Sequence, residues 1–514
     1  MSAAASAAPG PPQLGKKVAL ASLYAILQRV ILRGIGVVGT VILARLLVPE
    51  DFGIIGVAAV VQTMLEGLTS TGFGLALIRM EEPRREHYDT AFTLTVLRAL
   101  ILAGVLVGTS GLQAGFMGEP RVAPVMWLMA LTAVMQSLES IRMFDLQRDL
   151  RFDTLLRYHV FQKLLSFAIT IPLAFWLRNY WALVLAAPLS RIVTIPLSYR
   201  IAPHPPRLAL SAWREFFHFS KWLFLGNISA VLSSQLMNLV IGRVEGMVAV
   251  GLYQIAYQIA ALPISEIAAP LAQPAYAGFA RVRHHRSELR RYVLAGLALQ
   301  WLMILPLSAG IALTAREITL LFLGERWTAL VPLMPLVAMF ALFEALAGYL
   351  ASLFVVLNRQ ARLVITGYGV MLLRIGSVVY ATVTYGLIGA AWATLGVTAF
   401  NFLLWLAMAG RLLEERPGWS LPALWRPTIA ALLMAGAVLA IPAGAGALLG
   451  PPPWSVAGTL AIKSATGAAV YVAIAFVLWR AAGMPGQSAE AHLTRMAGDT
   501  LARLRTMIPI RRPG

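Results

Sequence analysis

Apolar runs of twenty residues or more recur along the chain, separated by short clusters of charged and turn-forming residues. A run of about 20 residues crosses a ~30 Å hydrocarbon core as a helix, and a helix satisfies every backbone N–H and C=O without help from lipid. The pattern predicts fourteen spans, near 18–47, 52–78, 88–112, 122–142, 155–177, 180–200, 217–242, 246–279, 292–314, 328–356, 363–383, 386–410, 425–447 and 455–480. Turn chemistry marks the divisions: Pro49-Glu50-Asp51, Arg178-Asn179, Arg243-Val244-Glu245-Gly246 and Gly450-Pro451-Pro452-Pro453. The predicted fold class is all-α, a polytopic membrane protein of about 14 transmembrane helices.

Composition agrees. Hydrophobic residues make up 59% of the chain and charged residues 13%, about half the charge fraction of a soluble domain; mean hydropathy is +0.74. The charges are distributed unevenly. Of the 42 Lys and Arg, 29 fall on one alternating set of connections plus the C-terminal tail, 6 fall on the other set, and 7 lie within spans. Such a bias on short loops puts the rich side, and both termini, in the cytoplasm. It also accounts for most of the formal charge of +19, so no nucleic acid partner is expected; the basic loops would rest on an anionic leaflet. Residues 1–15 have no apolar core, so a cleavable signal is not expected. With no Cys, no metal-type spacing among the 7 His and no GxxxxGK[ST] sequence, no cofactor or metal is expected either.

The chain contains an internal repeat. RLLVPEDFGIIGVA begins at Arg45 after the first span, and RVEGMVAVGLYQIA begins at Arg243 after the seventh; both place a glycine eight positions on, at Gly53 and Gly251. A second match closes the fourth and tenth spans, LQRDLRF from Leu146 against LNRQARL from Leu357. The offsets of 198 and 211 agree in order, and six spans separate each pair. An even number gives two halves of the same orientation, a parallel repeat about the membrane normal. The expected organisation is an N-terminal six-helix lobe (1–202), a C-terminal six-helix lobe (203–416), two appended transmembrane helices (417–482) and a cytoplasmic amphipathic tail (483–514), whose Leu493, Met496, Leu501 and Leu504 share one stripe.

The ARLLxPEDFG segment and the IGRxxGxxxxGLYQIA segment resemble the oligosaccharide flippases of the MOP superfamily. That group includes the O-antigen and exopolysaccharide repeat-unit flippases and the lipid II flippases, with MATE exporters as distant relatives. The resemblance covers about 17–480 and implies two six-helix lobes around a cavity that opens alternately to each side. One departure stands out: Asn238 occupies a position where many relatives carry Asp.

Charges at membrane depth supply the candidate chemistry. Arg29, Arg33, Arg98, Lys163, Arg191, Arg374 and Lys463 lie within spans, as do Glu66, Glu139, Glu266 and Glu344. A central Arg costs about 2.5–3.5 kcal/mol on insertion scales, so each needs a partner or a wet cavity. Glu139 and Lys163 are expected near the cytoplasmic interface, where they can snorkel. Arg29 and Arg33 are one helical turn apart, a repelling pair, and with Arg98 and Arg191 they give the first lobe a surplus of about three positive charges, Glu66 being its deep anion. An anionic ligand answers that surplus, and a diphosphate suits arginine forks. Arg29, Arg33, Arg98 and Arg191 are thus the expected substrate-binding residues; the alternative for each is a bond to helix-end carbonyls. Glu66, Glu266, Glu344 and Arg374 are candidates for coupling or gating, with mutual pairing of Glu344 and Arg374 as the structural alternative. Glu266 sits among Pro263, Pro270 and Pro274, which are expected to break the span. Lys463 either snorkels outward or meets a lipid headgroup. Trp127, Trp176, Trp181, Trp327 and Trp454 fit an outer aromatic belt.

The resemblance and the cationic lobe together imply a flippase rather than an enzyme. It would move polyprenyl-diphosphate-linked oligosaccharide repeat units from the cytoplasmic to the outer leaflet of a bacterial inner membrane for surface polysaccharide biosynthesis. Its expected partners are the lipid-linked oligosaccharide, membrane lipids and a polysaccharide polymerase or export machinery. A MATE-type cation exporter is the alternative, although it calls for an acidic cavity. A membrane glycosyltransferase or polymerase calls for acidic or His residues on a large outer loop, and the outer connections here are short.

Overall fold

The computed structural model describes residues 11–68, 77–78, 80, 83–213, 235, 237–483 and 491. Among them the regular structure is entirely helical. The seventh span (217–242) is described only toward its end, and the amphipathic stripe of the tail lies outside the described residues. Ten helices among the described residues are long and apolar enough to cross a membrane. One of these, Gln360–Leu412, departs from helical geometry at Gly386, where φ is 64° and ψ −156°. Only glycine adopts that conformation without strain, so it divides the helix into the two predicted spans, 363–383 and 386–410. The chain forms two compact units, residues 1–251 and 252–514.

In the first unit, α1 (Pro11–Leu46) packs on α6 (Phe152–Leu177), which packs in turn on α7 (Trp181–Ile201). α3 (Arg85–Met117) and α7 both pack on α4 (Val122–Ser137), with α2 (Pro49–Leu68) alongside and the short α5 (Met143–Arg148) following. Lipid removes the hydrophobic drive that packs soluble helices, so close approach of small residues takes its place. α7 supplies Ser190, Thr194 and Ser198, all buried and four apart on one face, and Ser140 N–H donates to Ser198 Oγ at 3.0 Å. Large apolar residues such as Leu112 and Trp176 point outward, where acyl chains would cover them.

The repeat has a physical counterpart in this unit. A Cβ on Gly53 would overlap the backbone of Met247, and one on Gly251 would overlap the backbone of Pro49. By the 198-residue offset Met247 corresponds to Pro49 and Gly251 to Gly53, so the contact is reciprocal, as two copies of one motif meeting about a two-fold axis require. Gly53→Val and Gly251→Val are each expected to destabilise the fold by about 1–3 kcal/mol, the cost of overpacking. The double variant should cost less than the sum of the two, because either change alone already parts the backbones. Thermal unfolding of the four proteins in detergent checks this; additive losses would show that the two glycines do not share one contact.

On the cytoplasmic side predicted by the charge bias, residues 202–212 lie as a strap across the ends of α3 and α4. Ser140 Oγ donates to Ala202 O at 2.6 Å, and Ala209 N–H donates to Thr93 Oγ1 at 2.9 Å. His204 is buried, with Nε2 3.1 Å from Asp89 Oδ1 but off the line of a hydrogen bond. Burial pushes the His204 imidazole below its usual pKa, against the opposing pull of Asp89. Tyr88 donates to Asp145 Oδ1 at 2.6 Å beneath the strap.

α8 (Met247–Val282) starts at the end of the first unit and continues through the second as one continuous helix; the break expected at Pro263, Pro270 and Pro274 does not occur. α9 (Arg286–Leu313) packs on α11 (Leu333–Val356), and between them lie α10 (Ala315–Ile318) and two short irregular turns. α12 (Gln360–Leu412) packs on α11. The appended spans, α13 (Leu421–Leu439) and α14 (Trp454–Ala481), are not loosely attached. Trp301 Nε1 donates to Thr428 Oγ1 at 2.9 Å and Tyr471 Oη to Leu302 O at 2.7 Å. Lys463 neither snorkels nor reaches a headgroup: its Nζ meets Glu317 Oε1 at 2.6 Å, with both side chains largely buried. Trp327 is also corrected, being fully buried beneath α11 rather than part of a belt, whereas Trp127, Trp176 and Trp454 are exposed.

Candidate anion-binding site

Three helices of the first unit build the site. On α6, His159, Gln162, Lys163 and Ser166 follow the i, i+3, i+4, i+7 spacing that puts them on one face. That face looks toward α1, which presents Arg29 and Arg33 one turn apart, and toward α7, which presents Ser190 and Arg191. The space between them is a cavity of about 590 Å³, of the size that ligand pockets have. Its described lining includes four cations, Arg29, Arg33, Lys163 and Arg191, and no Asp or Glu. Gln28, Thr132, His159, Gln162, Ser166 and Ser190 add further hydrogen-bonding groups.

A second cavity of about 310 Å³ adjoins it, with His159 lining both. Glu66, Arg98, Gln136, Glu139 and Tyr158 contribute to its walls. Glu66 accepts from Gln62 Nε2 at 2.7 Å and is an electrostatic neighbour of Arg98. Between the cavities Arg191 forms an ion pair with Glu139. Glu139 occupies the non-helical break between α4 and α5, so its side chain is free of the helix register and can reach α7.

Of the expected substrate-binding residues, the fold brings Arg29, Arg33 and Arg191 to one cavity and Arg98 to the next. Two residues set aside in the sequence reading belong with them. Lys163 lines the first cavity, and Glu139 is the partner of Arg191. Arg191 is paired with Glu139, Arg98 has Glu66 as its electrostatic neighbour, and Lys163 shares the first cavity with Arg29 and Arg33. The i, i+4 step from His159 to Lys163 was the available signal for the second wall. The remaining candidates lie in the second unit. Arg374 donates to Thr398 Oγ1 at 3.0 Å, and Glu344 is its electrostatic neighbour rather than a bonded partner. Glu266 is half-buried on α8. Asn238 Nδ2 lies 3.5 Å from Gln235 Oε1, in the first unit.

A family model described as polysaccharide biosynthesis protein matches residues 42–332. The chain belongs to that polysaccharide biosynthesis family. The matched stretch contains Arg98, Glu139, Lys163 and Arg191, with Arg29 and Arg33 just before it. Among its relatives, the teichuronic acid biosynthesis protein TuaB of Bacillus subtilis is 26% identical over 65% of this chain and 71% of its own length. The lipopolysaccharide biosynthesis protein WzxC of Escherichia coli is 23% identical over 66% and 70%. The lipid II flippase MurJ, solved in an inward closed conformation, shares the fold with a TM-score of 0.69 at 14% identity, covering 90% of this chain and 99% of its own. An inward-facing MATE-family multidrug transporter of the MOP superfamily aligns with a TM-score of 0.54 at 14% identity over 74% and 94%. The resemblance read from the PEDFG and GLYQIA segments is thus upheld at the level of the polysaccharide biosynthesis family, and the fold is one that MurJ and a MATE-family transporter share. Where these names carry an activity, it is transport or the flipping of a lipid, not a catalysed reaction.

Proposed function

We propose that this protein flips a lipid-diphosphate-linked oligosaccharide from the cytoplasmic to the outer leaflet of a bacterial inner membrane, with both termini in the cytoplasm. The observation that carries the reading is the cavity of the first unit, in which four cations converge and no carboxylate is among the described lining residues. A diphosphate diester carries two negative charges and several acceptor oxygens. Arg29 and Arg33 supply planar forks that match phosphate oxygens two at a time, while Lys163 supplies a point charge. The polyprenyl tail stays in the bilayer. The polar groups of the second cavity suit the hydroxyls of a sugar next to the diphosphate. The family membership and the names of TuaB and WzxC support a surface glycan as the cargo, and the MurJ-like fold supports flipping by alternating access. Transfer of net charge is driven by the membrane potential at about 2.3 kcal/mol per charge per 100 mV. A MATE-type cation exporter is disfavoured by the cationic lining.

Deletion of the gene, followed by leaflet-resolved counting of lipid-diphosphate-linked sugars and of surface polysaccharide, tests the reading. Repeat units held in the cytoplasmic leaflet with surface glycan lost is the expected result. Intact surface glycan together with altered sensitivity to cationic drugs would overturn it in favour of the exporter.

A further inference from the structure

Glu139 and Arg191 form the partition between the two cavities: Arg191 lines the first, Glu139 lines the second, and their side chains are 16% and 23% exposed for Arg191 and Glu139 respectively. In the sequence they are 52 residues apart, so the pair is made by the fold and is not a local helix contact. Any anion seated among Arg29, Arg33 and Lys163 lies beside the guanidinium of Arg191 and competes with Glu139 for it. We propose that Glu139 is the coupling residue of the transport reaction, exchanging its bond to Arg191 for a proton when the substrate's phosphate takes Arg191. This deepens the proposed function and rests on it.

The exchange balances. The empty site holds the ion pair. Phosphate oxygens enter and accept the Arg191 N–H bonds that Glu139 gives up, and Glu139 takes one proton from water-borne hydronium, forming a carboxyl O–H. An unpaired carboxylate screened from bulk solvent is costly and neutralises where it can. The surroundings determine how complete that step is. From α6, Tyr158 and His159 face Glu139, and Gln162 Nε2 lies 3.5 Å from Glu139 Oε1. From α7 comes Arg191, and from α3 and α2 come Arg98 and Glu66 across the second cavity. Once Arg191 is occupied, Arg98 is the cation left among the described lining of that cavity, and Glu66 is its electrostatic neighbour. Neutral Glu139 is then a hydrogen-bond donor toward the second cavity, where the first sugar would sit. Substrate release restores the ion pair and returns the proton, so each transported anion carries one proton along with it.

The experiment is calorimetric. The full-length protein in lipid nanodiscs is titrated with P1-citronellyl-P2-glucosyl diphosphate, whose two phosphate diesters do not titrate between pH 5.5 and 8. Repetition in buffers of different ionisation enthalpy counts protons taken up on binding. The expected result is about one proton per probe for the wild type, with affinity weakening up to tenfold per pH unit over that range. Glu139→Gln should take up none and bind with an affinity independent of pH. Should that variant fail to fold, uptake retained by His159→Gln assigns the proton to Glu139, and uptake lost there assigns it to the imidazole that lines both cavities and overturns the coupling role. Binding without proton uptake by the wild type, or equal uptake by Glu139→Gln, overturns the coupling role and leaves the anion cavity standing. Absence of binding overturns both.

Discussion

Arg33→Glu is expected to reduce export by at least about 100-fold while leaving the amount of membrane-inserted protein unchanged. Arg33 lines a cavity that holds three further cations and no carboxylate in its described lining. Removing the arginine deletes one or two charge-assisted hydrogen bonds to the diphosphate, each contributing about 1.5–3 kcal/mol. Placing a carboxylate there adds repulsion at close range in a partly desolvated site. A loss of about 2.7 kcal/mol already corresponds to 100-fold. Arg33→Lys should fall between, because an ammonium keeps the charge and loses the fork. Surface polysaccharide in the deletion strain carrying each variant is the readout, with membrane-fraction protein as the control for insertion. Normal export by Arg33→Glu would end the anion-cavity reading. A parallel fall in inserted protein would make Arg33 a folding residue instead.

The path to that site was partly legible in the chain. Hydrophobic runs gave the helices, because in lipid a spanning segment must be helical and long, and the Gly386 break fell at the predicted division of spans eleven and twelve. The repeat gave more than topology. Matching Arg45 with Arg243 put Gly53 and Gly251 in register, and these are the glycines whose backbones meet each other's segment. Arg29 and Arg33 were legible as a pair because their spacing is local to one helix.

Pairings between distant segments were not legible. Hydropathy placed Glu139 near the end of a span and was silent about Arg191, 52 residues on. The reading of Lys163 as a single side chain was silent about its companions, because the cavity it lines with His159 and Gln162 is completed by α1 and α7. Trp327 shows the same limit: an aromatic near a predicted interface reads as a belt residue, whereas the turns after α10 carry it, like Leu330 and Leu333, into the core. Three prolines in α8 overstated their effect, since in membrane helices neighbouring helices and local adjustments re-satisfy the freed carbonyls.

Lys463 is another long-range example and yields the second large prediction. Its partner Glu317 is 146 residues away, on α10, and the two side chains are 12% and 7% exposed. Two shielded charges hold each other, and Glu317 Oε2 has no further hydrogen-bond donor. Lys463→Met therefore leaves a buried, unpaired carboxylate and is expected to cost about 3–5 kcal/mol, as is Glu317→Leu with the charges reversed. The double variant Glu317→Leu/Lys463→Met removes both charges and keeps the volume. It should recover most of that loss, because replacing a whole buried pair by apolar groups is often close to neutral. Thermal unfolding of the four proteins, read as a double-mutant cycle, gives the coupling directly. Near-additive losses would mean the two residues stabilise α14 independently. Strong coupling with export intact in the double variant makes the pair a clasp for the appended helices. Coupling with export lost, in a protein that still folds, would place α14 in the transport cycle itself, where a groove for the lipid tail would have to be.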